Sequence, residues 1–66
     1  MIAQLTGTIA SQGSTFIIIN VNGVGYLVNC TQETVRATSV GETITVCTYL
    51  AVRENALELF GQLLLS

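Results

Sequence analysis

Asn22-Gly23 stands between two runs rich in β-branched residues, 15–21 and 24–30. This dipeptide readily supplies the positive φ angles of a two-residue type I′ turn, whose twist matches that of the strands it joins. The turn therefore sets one pairing register, and the register decides which side chains share a face. In the first run Phe16 and Ile18 fall on one face and Ile17, Ile19 and Val21 on the other. Both faces are apolar, which predicts a barrel wall with a partner surface against its outside. Gly25, in mid-strand, predicts close backbone approach or sharp coiling.

Residues 42–52 carry the clearest alternation, with Ile44, Val46, Thr48, Leu50 and Val52 on one parity and Thr43, Thr45, Cys47, Tyr49 and Ala51 on the other. That is the period of a strand with one buried face. Arg53, Glu54 and Asn55 interrupt it before residues 56–61 resume as a last strand, so a hairpin with a charged tip is expected. Residues 1–10 place Leu5 and Ile9 on one parity around Gly7, where a bend or bulge is expected. Ser11-Gln12-Gly13-Ser14 has turn composition. Thr31-Gln32-Glu33 offers an N-cap and an acid in the first turn, with Arg36 a turn later and Gly41 as a stop. A short helix over 32–39 follows, weakened by Thr34, Val35, Thr38 and Ser39. Five strands and one short helix, with no linker or repeat, predict an all-β chain closed into a small OB-fold barrel, which removes exposed sheet edges. Residues 1–66 form a single expected domain, the barrel over 1–61, and 62–66 a tail whose Leu63-Leu64-Leu65 resembles the edge of something longer.

Composition narrows the function. With half of its 66 residues apolar, 9% charged and no proline, the chain departs from the disordered class and has room for one core. Its bases are Arg36 and Arg53, its acids Glu33, Glu42, Glu54 and Glu58, and its net charge is −2. Affinity for duplex DNA falls with salt at a log–log slope of about −0.9 per neutralised phosphate, so two arginines allow at most about −1.8. Any DNA role must borrow cationic charge from elsewhere. The N-terminus has neither the basic nor the apolar region of a signal peptide, and no apolar run nears the length of a membrane helix, so a soluble cytoplasmic protein is expected.

Catalysis is not expected, because no His, Lys or Asp is present to activate Ser, Thr or Cys. Cys30 and Cys47 lack CxxC spacing and a histidine, so no metal or cofactor is expected and both read as reduced, partly buried thiols. Gly23-Val24-Gly25 lacks the third glycine and following helix of a dinucleotide fingerprint. Phe16, Tyr26, Tyr49 and Phe60 could stack bases, but no basic groove accompanies them, and core or interface roles are expected.

In order along the chain, Met1-Ile2 with Leu5, Gly7 and Ile9, then Val21-Asn22-Gly23-Val24-Gly25-Tyr26-Leu27-Val28, then Val52-Arg53-Glu54 with Leu57, Leu59, Phe60 and Gly61 resemble the N-terminal domain of the RuvA family. Its members are the Holliday junction-binding subunits of bacterial RuvAB branch-migration complexes. The resemblance covers about residues 1–61, most specifically at the GVGY hairpin and the VRE tip. It implies an OB-fold at the centre of a homotetramer that holds four-way junction DNA open and square-planar during recombination and DNA repair. It also implies a non-catalytic subunit, with ATP hydrolysis in the separate RuvB motor. In the family, helix-hairpin-helix motifs that grip DNA and a C-terminal domain that contacts RuvB follow this domain.

The family's acidic pin, two adjacent carboxylates on a hairpin, falls on Glu54 and Asn55 with Arg53 flanking, so an amide replaces the second acid. Two unit charges about 10 Å apart in water interact by only about 0.4 kcal/mol, before screening over a Debye length of about 8 Å. Steering of strands therefore needs a ring of carboxylates. The rival reading is an OB-fold oligomerisation or protein-interaction module without direct DNA contact, which the two-sided apolar strands and low charge also suit.

Overall fold

The computed structural model describes residues 3–53 and 56–63, and of Arg53 and Ala56 the backbone alone. Its elements are β1 (Gln4–Gln12), β2 (Phe16–Val21), β3 (Val24–Asn29), α1 (Gln32–Arg36), β4 (Thr43–Arg53) and β5 (Ala56–Leu63). The strands close into a barrel in the order β1-β2-β3-β5-β4, the all-β OB-like architecture expected. Among the described residues no helix is long and apolar enough to cross a membrane.

Asn22 and Gly23 have φ of 52° and 91°, the two positive values of a type I′ turn, and Val21 pairs with Val24 across it. The Gly23 N–H donates to Asn20 Oδ1 at 2.8 Å, bracing the turn. Ile17, Ile19 and Val28 are fully buried and join Leu5, Ile9, Ile44, Val46 and Leu59 in one core. On the outer face Ile18 pairs with Leu27, half-buried and 49% exposed respectively.

The bulge in β1 lies between Ile9 and Ser11, not at Gly7. It admits one extra residue, so the next side chains exchange faces. Gln12, expected in a turn, is thereby aimed inward opposite Ile17. Its Nε2 reaches the carbonyl oxygens of Val35 at 3.0 Å and Thr38 at 2.9 Å, and the Thr38 hydroxyl at 2.8 Å. One amide thus fastens the helical connection to the barrel. Gly7 serves close packing instead, since a Cβ there would collide with the Asn20 carbonyl oxygen and the Ile19 side chain.

Helix α1 begins as expected, with Thr31 Oγ1 accepting from the Thr34 N–H at 3.2 Å. It ends at Arg36, three residues short of the expected limit. There the Thr38 N–H and hydroxyl both turn back to the Val35 carbonyl, at 3.2 and 3.0 Å, in place of continued helical bonding. Gly41, with φ of 93°, serves the later turn into β4.

The barrel closes through a short parallel seam in which Val28 pairs with Leu59 and Asn29 with Phe60. Asn29 Nδ2 adds a 3.2 Å bond to the Leu59 carbonyl. The close approach expected at Gly25 occurs here, at Gly61, where a Cβ would sit 2.9 Å from Val28 Cγ1 and 3.0 Å from the Cys47 carbonyl oxygen. At Gly25 a Cβ would make only an ordinary 3.4 Å contact with Ile18. Strand β5 also runs two residues past its expected end, with Gln62 opposite Cys47 and Leu63 opposite Val46.

Candidate functional site on the β4–β5 arm

Past the seam, among the described residues, β5 has β4 as its only neighbour, through the pairs Ala51–Glu58, Val52–Leu57 and Arg53–Ala56. These residues form a two-stranded arm beyond the closed barrel. The alternation that buries Ile44, Val46 and Thr48 continues along it, but no third strand covers the face it prepares. Leu50 is half-buried, Val52 is 77% exposed and its partner Leu57 is 67% exposed. Burial along this parity therefore ends before Val52.

Of the candidate pin residues, Arg53 is the last residue of β4 and its backbone pairs with Ala56. Glu54 and Asn55 lie outside the described residues. The other charges fall elsewhere: Glu33 and Arg36 occupy the first and last turns of α1, each sign suited to its end of the helix dipole. Glu42 accepts from the Ser39 N–H at 3.0 Å in the turn before β4.

The opposite face of the hairpin carries Cys47, Tyr49 and Ala51 across from Gln62, Phe60 and Glu58. Tyr49 and Phe60 stack with ring centroids 5.3 Å apart and planes 16° from parallel. Beside them a groove of about 470 Å³ is lined by Cys30, Thr34, Cys47, Tyr49, Phe60 and Gln62, among others. Cys30 is half-buried, and burial pushes its thiol up from the ordinary value. Cys47 is exposed, unlike the partly buried thiol expected. Sequence reading missed this groove because its walls, the end of β3 and the β4–β5 hairpin, meet only through the parallel seam. No group of three metal-ligating side chains gathers among the described residues.

A second face is neutral and hydroxyl-rich. Thr6 and Thr45 pair through their Oγ1 atoms at 2.9 Å across β1 and β4. A shallow polar crevice of about 420 Å³ beside them includes Thr8, Asn20, Asn22 and Thr43.

The model of the family described as RuvA N terminal domain matches residues 1–61. The chain is 45% identical over 62 residues to the Holliday junction branch migration complex subunit RuvA of Chloroherpeton thalassium, covering 92% of this chain and 31% of that protein. It is 48% identical over 61 residues to the subunit of the same name from Thermobifida fusca, covering 92% and 30%. For the Pseudomonas putida W619 subunit the identity is 48% over 62 residues, covering 92% and 30%. The chain spans less than a third of the length of these relatives.

Proposed function

The chain belongs to the RuvA N-terminal domain family, and from that premise we propose that it is the tetramer-forming core of a cytoplasmic, non-catalytic Holliday junction-binding protein that holds the junction open for RuvB-driven branch migration. The observation that carries this reading is the family match over residues 1–61, which takes in the arm and its charged tip. With net charge −2 and two arginines, this domain positions DNA and does not grip it. Grip and the RuvB contact belong to segments outside these 66 residues.

The apolar surfaces favour a ring. A rotationally closed ring with head-to-tail contacts joins two different patches on each copy. One is the Val52–Leu57 face of the arm, and the other is the outer Ile18–Leu27 face of the barrel. Two standard interfaces would occupy about 800 Å² each per copy, a large share of the 4406 Å² surface.

Glu54 is the pin residue of this reading, with Arg53 flanking it and Asn55 in the second acid's place. Around a fourfold axis the Glu54 carboxylates repel phosphates and direct separated strands outward, while Asn55 offers a hydrogen bond in place of a charge. The test is branch migration and junction binding by a full-length protein carrying this domain. Glu54→Gln should alter them more than Glu42→Gln, and equal effects would remove the pin.

A further inference from the structure

The groove beside the Tyr49–Phe60 stack has no part in the proposed assembly or in the pin. Its volume of about 470 Å³ lies within the roughly 300–1,000 Å³ of small-ligand sites. Among the described residues its lining contains no charged side chain: Glu33, Arg36, Glu42 and Glu58 are absent from it. Cys30, with its thiol pushed up by burial, adds no charge at neutral pH. An ionic ligand group, a phosphate included, finds no counter-charge there.

What the groove does offer is a planar aromatic surface with a polar rim. Tyr49 lies nearly parallel to Phe60 yet remains 60% exposed, leaving ring surface for a third planar partner. Gln62, Asn29, Thr31 and Thr34 bring amides and hydroxyls to the lining, with the Thr31 and Thr34 hydroxyls bonded to each other at 3.1 Å. Asn29 Nδ2 is committed to the Leu59 carbonyl, whereas Gln62 is exposed. A neutral, flat ring with donors and acceptors on its edge satisfies both features together. Proteins that hold single bases use the same combination of stacking on aromatic rings and hydrogen bonds to the base edge.

We propose that this groove binds one unpaired nucleobase, stacked on the Tyr49–Phe60 pair with its edge toward Gln62. Tyr49–Phe60 lies four residue pairs from Arg53–Ala56 on the same hairpin, about 14 Å at roughly 3.4 Å per residue. The site engages one base and not a tract of single strand, because a tract would need a cationic groove for its backbone. It does not depend on the junction-binding reading, since a free nucleoside suffices to test it.

The experiment titrates deoxyadenosine into the 66-residue chain and follows backbone amide NMR shifts, with 2-deoxyribose as the sugar control. Saturable shifts are expected at Thr34, Cys47, Tyr49 and Gln62 in the millimolar range, with none from the sugar. Tyr49→Phe should preserve the response. Tyr49→Ala should weaken it by roughly 5- to 150-fold, the range that corresponds to about 1–3 kcal/mol for a base–aromatic stack. A dispersed spectrum would show that this variant still folds. Absence of saturable shifts at tens of millimolar nucleoside, an equal response to deoxyribose, or an unchanged response in folded Tyr49→Ala would each overturn the proposal.

Discussion

Val52 and Leu57 face each other across the β4–β5 arm, and both remain open to solvent, at 77% and 67%. They continue the stripe that forms the core lower in the same hairpin, so the arm extends an apolar face without a third strand to cover it. Replacing both by threonine leaves β-branched side chains, which suit strands, at both positions while removing apolar contact area. Barrel stability should change by only about ±0.5 kcal/mol, the usual range for surface sites. Self-association should weaken by roughly 100-fold if each side chain contributes about 1.5 kcal/mol on burial. Thermal melting and sedimentation of the double variant check the two halves separately.

The glycines at the seam and in β3 separate close packing from mere strand composition. Gly61→Ala places a methyl group 2.9 Å from Val28 Cγ1 and 3.0 Å from the Cys47 carbonyl oxygen. Overpacking of this kind costs typically about 1–3 kcal/mol, and urea unfolding should register it. Gly25→Ala meets only Ile18, at 3.4 Å, and should be neutral or slightly stabilising. Equal destabilisation by the two would contradict the placement of the tight approach at Gly61.

Gln12 is the only side chain that ties the connection after α1 to the barrel with three hydrogen bonds among the described residues. Gln12→Leu leaves the Val35 and Thr38 carbonyls without that donor. Loss of about 1–3 kcal/mol in unfolding free energy is expected from the Thr38 carbonyl losing the Gln12 donor, while the Val35 carbonyl keeps the Thr38 N–H and hydroxyl. Hydrogen exchange at Ala37 and Thr38 should accelerate before exchange in β2 does.

The two thiols should separate by reactivity and by pH. Exposed Cys47 should react with a maleimide well before half-buried Cys30. Cys30 has its folded value raised by burial above the ordinary 9.0. Above that ordinary value the unfolded chain loses the thiol proton while the folded chain keeps it, so folding stability falls with rising pH. The contribution is complete below the ordinary value and gone once the folded thiol has also ionised. Cys30→Ala should flatten this part of the stability profile, and a slope that survives the substitution would assign it to another group.

Features set by neighbours in the chain are legible in the sequence, and those set by distant partners are not. Asn22-Gly23 determines its turn locally, so the β2–β3 register can be read from residue type and spacing, but with both faces of β2 apolar the sequence does not say that Ile17 and Ile19 are the inward set. The N-cap at Thr31 is legible for the same reason. In β4 the alternation sets Ile44, Val46 and Thr48 on one face, as the structure has them, but alternation does not say how far the barrel covers that face. Coverage stops because Val28 meets Leu59, partners 31 residues apart that local pattern does not pair. The bulge after Ile9 leaves no signal in side-chain type, since Ala10 resembles any strand residue; hence Gln12 reads as part of a turn. Gly7 stands out in the sequence, though its role is contact with β2 and not bending. The Tyr49–Phe60 groove depends on the same non-local seam, and nothing in the residue pattern announces it.

Whether this domain carries an assembly core of its own is tested most directly by its solution mass, measured by light scattering across a concentration series. A concentration-dependent rise is predicted from the 7.0 kDa monomer toward four times that mass, moved to higher concentration by the Val52 and Leu57 substitutions. A mass that stays at 7.0 kDa at every concentration would contradict a self-sufficient core and move the assembly contacts to segments beyond these 66 residues.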